Sequence, residues 1–249
     1  MIITTNGIIL RERPVRENDK YVEILCEDIG IVEALVRGGR KITSKNCAAT
    51  QLLTYSTICL NKTNSGYVVN SSQVINTFYN IRLDVKKLAL AAYFSDILRF
   101  TTPPEEPAKE VLRLFLNTLH FLDKGDRDTE QMKIVFELRM MCKIGLMPDL
   151  IGCHNCYKHE DDEMYFNLYD GRLCCKNCLN EYELQRSRVV DKSMLHTIRY
   201  ICLSDFEKIF YFKISNKCQK KLSAITEQYM KFQFNKSFKT LDYYKKIED

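Results

Sequence analysis

Asp84-Val-Lys-Lys-Leu-Ala-Leu-Ala-Ala-Tyr-Phe-Ser-Asp-Ile-Leu-Arg-Phe100 reads as a helix, and nothing before it does. Asp84 is placed to cap the first turn, where a short acceptor side chain satisfies free backbone N–H groups. Val85, Leu88, Ala91, Ala92, Ile97 and Leu98 make one apolar face, and Leu90, Phe94 and Phe100 widen it. An apolar surface that broad belongs to a helix covered on several sides. Thr101-Thr102-Pro103-Pro104 ends it, because a residue preceding proline is pushed out of helical geometry.

Upstream, the chain reads as strands. Ile2–Arg11 is rich in β-branched and apolar residues, Tyr21–Cys26 and Ile31–Arg37 alternate, and Thr54–Leu60 and Tyr67–Val74 follow. Turn-forming residues punctuate the gaps: Pro14, Asn18-Asp19, Gly30, Gly38-Gly39, and Asn61-Lys-Thr-Asn-Ser-Gly66. Five short strands fit a small barrel better than a sandwich, which uses about seven.

Downstream, further helices are expected over Glu105–Leu122 and over Thr129–Ile144, the latter closed by Gly145 with Pro148 just beyond. Asp191–Leu203 and Ser215–Phe232 also read as helices, and Lys236–Asp249 as a weak helix or a frayed tail. The fold class is thus α+β multidomain: an N-terminal five-stranded barrel over residues 1–80 and an all-helical domain over 81–249. A cysteine module at 150–180 is inserted between the helices.

That module is Cys153-His-Asn-Cys156 and Cys175-Lys-Asn-Cys178. Each Cys-x-x-Cys turn delivers two thiolates to one ion, and four soft donors suit tetrahedral zinc. Iron or a disulfide pair could use the same residues, but the spacing fits one structural zinc ion best. Four thiolates leave no open coordination position, which points to scaffolding rather than catalysis. Cys174 is a competing ligand, although Cys175 reproduces the two-residue gap of the first pair. His154 and His159 are read as bystanders. The chain holds 11 cysteines, an odd number scattered through apolar runs, which argues against a disulfide framework and for a reducing, cytoplasmic setting. The N-terminus lacks a secretory leader pattern. The apolar run Leu88–Phe94 is far short of the roughly 20 residues that span a bilayer, so no membrane is expected among its partners.

The net charge of +5 is mild, but its distribution is not. No acidic residue lies between Glu33 and Asp84, a stretch that carries Arg37, Arg40, Lys41, Lys45, Lys62 and Arg82. One-signed regions attract polyanions. At its centre is Val36-Arg-Gly-Gly-Arg-Lys-Ile-Thr-Ser-Lys45, a loop leaving the third strand, with glycines that let backbone approach a ligand and cations that neutralise phosphates. On a five-stranded barrel such a loop can border an oligonucleotide-binding face. Arg11, Arg13, Arg16 and Lys20 flank the first inter-strand loop and extend the patch, interleaved with Glu12, Glu17 and Asp19. Tyr55 and Tyr67 fit strand packing better than base stacking. The lysine-rich stretch after Phe212 reads as a solvated face.

Catalytic signatures are missing. There is no phosphate-cradling glycine loop, no Gly-x-Ser-x-Gly, and no His-Glu-x-x-His. A zinc deaminase needs His-x-Glu, and none of the four histidines has Glu two positions on. An enzyme is therefore not expected.

The chain resembles the bacterial RecO family of DNA repair and recombination proteins. The anchors are Gly7-Ile-Ile-Leu10, Glu17-Asn-Asp-Lys20, Gly30 and Arg37-Gly-Gly-Arg-Lys41, then Phe136-Glu-Leu-Arg139, Gly145, Pro148, Cys153-x-x-Cys156 and Gly171-x-x-x-Cys175-x-x-Cys178. The resemblance selects Cys175 over Cys174. It implies an OB-fold barrel, a helical domain and a four-cysteine zinc site. It also implies DNA binding, annealing of complementary single strands, and work with RecR-like and RecF-like proteins, single-stranded DNA-binding protein and RecA. That places the protein in the cytoplasm with the nucleoid. Beyond the module the C-terminal residues carry no matching motif, so no partner-binding residue is carried over. The rival reading is a zinc-ribbon nucleic-acid-binding factor of transcription or RNA metabolism. The acids Glu160, Asp161, Asp162, Glu163 and Asp170 in that module weigh against it.

Overall fold

The structure, a computed structural model, describes Met1–Glu248. Asp249, the last residue of the expected C-terminal segment, lies outside the described residues. Two compact units emerge, one made of Met1–Gly125 with the chain from Phe238 onward, the other of Asp126–Ser237.

The first unit contains a closed barrel of β1 (Ile2–Pro14), β2 (Lys20–Cys26), β3 (Gly30–Val36), β4 (Tyr55–Thr63) and β5 (Gly66–Asn76). The order is β1-β2-β3-β5-β4, closed by β1 on β4, with β3 and β5 parallel and the other neighbours antiparallel. This is the OB-fold arrangement. Alternation fills its interior, since successive side chains on a strand face opposite ways. Val22, Ile24 and Cys26 of β2, Val32, Ala34 and Val36 of β3, Ile58 and Leu60 of β4 and Val69 of β5 all point inward with Ile9. Ile8, Ile9 and Leu10 are all buried in succession, because α2 packs on β1 and gives the strand a second covered face.

The β2–β3 hairpin turns at Gly30 with φ +63°, and a Cβ there would lie 2.4 Å from the Pro103 carbonyl oxygen. That packing explains why the second long helix begins later than expected. Glu105 N–H donates to Ile29 O and Ala108 N–H to Glu27 O, so residues 103–108 are an irregular strap against the hairpin, with Glu105 at φ +62°. Pro103, Pro104 and Pro107 suit that shape and not a helix. The helices of this unit are α1 (Tyr79–Leu83), α2 (Val85–Thr101), α3 (Lys109–Lys124) and α8 (Lys239–Glu248). Asp84 caps α2 by accepting from Lys86 and Lys87 N–H. The C-terminal segment is a packed helix and not a frayed tail: Phe238, Leu241 and Tyr244 are buried, and the Phe238 ring meets Tyr93 and Phe100 edge-on.

The second unit holds α4 (Thr129–Lys143), α5 (Glu181–Arg186), α6 (Lys192–Leu203) and α7 (Asn216–Phe234). Asp128, Asp191 and Ser215 cap α4, α6 and α7 with side-chain oxygens. The helices are joined by a small antiparallel sheet absent from the expectation, ordered β7 (Leu173–Cys175), β6 (Glu163–Asn167), β8 (Ser187–Asp191). It carries Cys175, the first of the second cysteine pair, and extends the cysteine module past residue 180.

Candidate nucleic-acid interface and metal centre

The basic loop is tied down at its base and free at its tip. Gly38 takes φ +64°, and its N–H donates to Asp19 Oδ1 at 2.7 Å. Gly39 has no room for a side chain, because a Cβ would lie 2.6 Å from Val36 Cγ1. Arg40 N–H donates to Asn18 O, and its guanidinium Nη1 donates to the carbonyls of Arg16 and Glu17 at 3.1 and 2.9 Å. Beyond this, Lys41 N–H donates to Gly38 O, Ser44 N–H to Lys41 O, and Cys47 N–H to Ser44 O, so the loop is a run of tight turns. The β1–β2 turn is thereby stitched to the loop after β3, which is the physical content of the Glu17-Asn-Asp-Lys20 and Arg37-Gly-Gly-Arg-Lys41 anchors.

The expected cations fall into different roles. Arg37, Lys41 and Lys45 are exposed and make no ion pair with the described residues, and Ile42 between them is 96% exposed. Arg40 is exposed but holds the neighbouring turn. Arg16 is 4.0 Å from Asp19, and Arg11 is 3.5 Å from Glu23. Such exposed pairs are weak and leave the cations available. Lys20 is different from the expectation. It is 5% exposed, with Nζ donating to Glu12 Oε2 at 2.7 Å and to Thr50 O at 2.8 Å. It is the first residue of β2 and lies on the same side of the strand as Val22 and Ile24, so its ammonium is an internal strut. Arg82 from the acid-free stretch is likewise spent within the unit, on Gln51 Oε1, Leu52 O and Thr54 Oγ1. Arg13 pairs with Glu33 at 3.0 Å. Tyr55 is half-buried in the barrel wall, and Tyr67 packs on the barrel core with Lys62 Nζ 5.5 Å from its ring centre.

In the second unit the sulfurs of Cys153, Cys156, Cys175 and Cys178 all lie within 4.8 Å of one another, with Cys156 and Cys175 Sγ 3.6 Å apart. A tetrahedral ion with bonds of about 2.3 Å needs sulfurs about 3.8 Å apart, so the four cysteines fit a metal ion. Two tight turns bring them in. Tyr157 N–H donates to Cys153 O, and Cys178 N–H to Cys175 O. Cys153 is fixed further by Lys158 O, which accepts its N–H. Strand geometry separates the adjacent cysteines. Cys175 at the end of β7 joins the cluster, while Cys174, one residue back, lies outside the four-sulfur group and meets Glu183 Oε2 at 3.7 Å. His154 is held between Leu173 O at Nδ1 and Glu183 at Nε2, 3.0 and 2.9 Å away. His159 Nδ1 sits 2.6 Å from Ile151 O. Neither histidine belongs to the sulfur cluster.

Burial alone would raise the Cys153 thiol, but backbone N–H groups of Cys175, Cys156 and Asn155 hold it down at about 6. Cys178, sharing hydrogen bonds with Cys156 and Cys175, is pushed up to about 12. Arg199 on α6 fastens the module to its unit. Its Nε donates to Leu150 O, its Nη2 to His159 O, and its Nη1 to Glu160 Oε1.

No helix among the described residues is long and apolar enough to cross a membrane. A family model described as the N terminal of recombination protein O matches residues 1–78, and one described as its C terminal matches residues 82–242. A DNA repair protein RecO of Acetivibrio thermocellus is 32% identical over 246 residues, covering 99% of this chain and 97% of that protein. One from Caldicellulosiruptor bescii is 28% identical over 247 residues, 99% of both chains. One from Clostridium novyi is 23% identical over 241 residues, 97% of this chain and 93% of that protein. The match runs past Cys178 to residue 242, farther than the sequence motifs reach.

Proposed function

The chain belongs to the RecO family of DNA repair and recombination proteins, and on that premise we propose that it is a non-enzymatic mediator that grips single-stranded DNA by its phosphates. The observation that carries this reading is the loop after β3, where Arg37, Lys41 and Lys45 are exposed, with no ion pair to any described residue, on a backbone anchored by Asp19 and Arg40. Phosphate contacts of this kind position a strand without reading its bases. Neutralising the backbones of two coated strands lowers their repulsion and favours annealing. Arg11 and Arg16 extend the grip along the β1–β2 edge; Lys20 supports it from beneath. Residues 1–80 act as the nucleic-acid-binding domain. The helices that follow carry the sites for RecR-like and RecF-like proteins, single-stranded DNA-binding protein and RecA loading. Double-stranded DNA is bound by the same phosphate chemistry. A resident zinc ion on Cys153, Cys156, Cys175 and Cys178 supplies no chemical step. Those thiolates hold the ion, which locks the sheet and both tight turns in one geometry. Work of this kind belongs in the cytoplasm, on the nucleoid.

The test is annealing of complementary oligonucleotides by the full chain, with and without ATP and magnesium. Pairing is expected to accelerate equally in both conditions. A strict ATP requirement, or no acceleration at any protein concentration, contradicts the proposal.

A further inference from the structure

Three donors beside the four-sulfur group take no part in it. A ring nitrogen of His154, the Cys174 sulfur and a Glu183 carboxylate oxygen lie within 4.8 Å of one another. His154 follows Cys153 in the chain, and Cys174 precedes Cys175. Cys153 bridges to Leu173, and His154 N–H donates to Leu173 O at 2.9 Å. That pairing sets His154 beside Cys174. Glu183 comes from α5, where its N–H donates to Asn180 Oδ1 and its Oε2 accepts from Asn180 N–H. So held, the carboxylate reaches both other donors, with Oε1 2.9 Å from His154 Nε2 and Oε2 3.7 Å from Cys174 Sγ.

Each donor suits a cation. Leu173 O lies 3.0 Å from His154 Nδ1. A carbonyl only accepts, so Nδ1 carries a proton and Nε2 is the nitrogen aimed at Glu183. A backbone carbonyl behind the ring fixes metal-ligating histidines in the same way. Either a second proton or a metal ion on Nε2 answers the carboxylate opposite. A four-coordinate ion bonded to nitrogen, oxygen and sulfur holds these donors about 3.3–3.6 Å apart, and the two distances on Glu183 bracket that range. The set is mixed, with one imidazole nitrogen, one sulfur and one carboxylate oxygen. Such donors select zinc-type ions over magnesium and calcium, which take oxygen. As thiolate and carboxylate, Cys174 and Glu183 carry two negative charges, which a divalent ion balances.

We propose that His154 Nε2, Cys174 Sγ and the Glu183 carboxylate form a second, exchangeable site for a zinc-type divalent cation, beside the four-sulfur centre and apart from it. Three protein ligands leave the fourth position to water. The ion is therefore held less tightly than at four thiolates and is lost during purification. On binding, the Cys174 thiol releases its proton to solvent. The Cys174 residue is buried, but the His154 side chain is 25% exposed and that of Glu183 14%, which gives the ion a way in on their side. Once bound, it ties α5 to β7 and to the first cysteine turn. The four-sulfur zinc is a separate claim, since it uses none of these three side chains.

The experiment titrates cobalt(II) into the full chain purified with its resident zinc, with both metals counted by elemental analysis after equilibrium dialysis. The wild type should take up one further equivalent, develop the absorption of a four-coordinate, thiolate-bound cobalt ion, and keep its zinc. Glu183→Gln preserves the capping contacts, because glutamine serves at that position as well. It should weaken cobalt uptake by more than about tenfold, since even groups behind a metal ligand contribute about 10–100-fold. Cys174→Ser should do the same and remove the thiolate absorption. Resident zinc in each variant shows that the module is folded, and loss of zinc in both overturns the independence of the two sites. Magnesium in about hundredfold excess should not displace the cobalt. Uptake unchanged in either variant overturns the proposal. So does a wild type that takes no further cobalt, the outcome for a proton held between His154 and Glu183. Cobalt gained with equal loss of zinc also overturns it, since the four-sulfur centre would then be the one exchanging. Protein purified without zinc contradicts the four-sulfur reading alone, and this site should then still take a cobalt ion that Glu183→Gln removes and Cys156→Ser leaves in place.

Discussion

Lys20 shows how a residue of a family motif can be spent inside the fold. Its ammonium is buried against Glu12 and the Thr50 carbonyl, and in the β2–β3 ladder it stands opposite Val36, just before the Gly38-Gly39 turn. Removing a buried partner leaves an acceptor unsatisfied, which costs about 1–3 kcal/mol. Lys20→Ala should therefore lose about that much stability in urea unfolding, while single-strand affinity of the folded variant stays within about twofold, because exposed phosphate cations elsewhere set it. Full stability with a large affinity loss would return Lys20 to the DNA surface. From sequence alone Lys20 and Lys41 look alike. What separates them is the strand pleat, which turns Lys20 inward, and that depends on register. Cys174 and Cys175 were separable by spacing, and the same pleat supplies the reason.

At the scale of elements, the legible parts were those with local signals. Asp84, Asp191 and Ser215 announce the starts of α2, α6 and α7, and the side chains cap as their types suggest. The β6–β7–β8 sheet was not legible: β7 is only three residues long, and β8 pairs with β6 across an intervening helix. The start of α3 was misread because the strap at 103–108 is shaped by the hairpin it packs on, a tertiary effect. The Phe136-Glu-Leu-Arg139 anchor also gains a cause. Arg139 Nη1 donates to the carbonyls of Ile201, Cys202 and Ser204 at the end of α6. Glu137, fully buried, pairs with buried Lys133 at 3.2 Å and accepts from Thr226. On a helix this i,i+4 pair reads as a solvated one, and only packing reveals otherwise. Breaking a buried pair on one side is far more costly than replacing both partners with apolar groups. Glu137→Ala should cost about 3–5 kcal/mol in chemical denaturation, and Lys133→Met/Glu137→Leu should recover most of it. Lys133 also meets Glu227 at 3.5 Å and donates to Ser223, so equal losses in the two variants would place the stability in those contacts and not in the Lys133–Glu137 couple.

For the whole molecule, the metal and the DNA surface are separate claims with separate readouts. At neutral pH Cys178, pushed up to about 12, holds a proton that an arriving metal must displace. Protons thus compete with the ion, and metal affinity should rise as pH increases from 6 to 8 in a competition titration against a chromophoric chelator. Protein purified without added metal should hold close to one zinc per chain. Cys175→Ser should lose it and melt the module, while Cys174→Ser should keep it. Iron in place of zinc, the reverse order of the two mutants, or affinity falling with pH would each contradict the assignment.

The central claim is that the basic loop is the phosphate grip, and the lysine-rich α7 is its competitor within the same chain. Cutting the chain after Phe232 cannot separate them, because α8 packs on α2 in the barrel's own unit. Point variants can. The decisive measurement is the salt dependence of single-strand affinity for the wild type, for Arg37→Ala/Lys41→Ala/Lys45→Ala and for Lys217→Ala/Lys220→Ala/Lys221→Ala. Each phosphate contributes about −0.7 to the slope of log affinity against log salt. The loop variant should therefore weaken binding to every sequence alike and flatten the slope by about 2, while the α7 variant keeps the wild-type slope. A loop variant with the full wild-type slope, beside an α7 variant that has lost it, would place the main DNA surface away from the barrel.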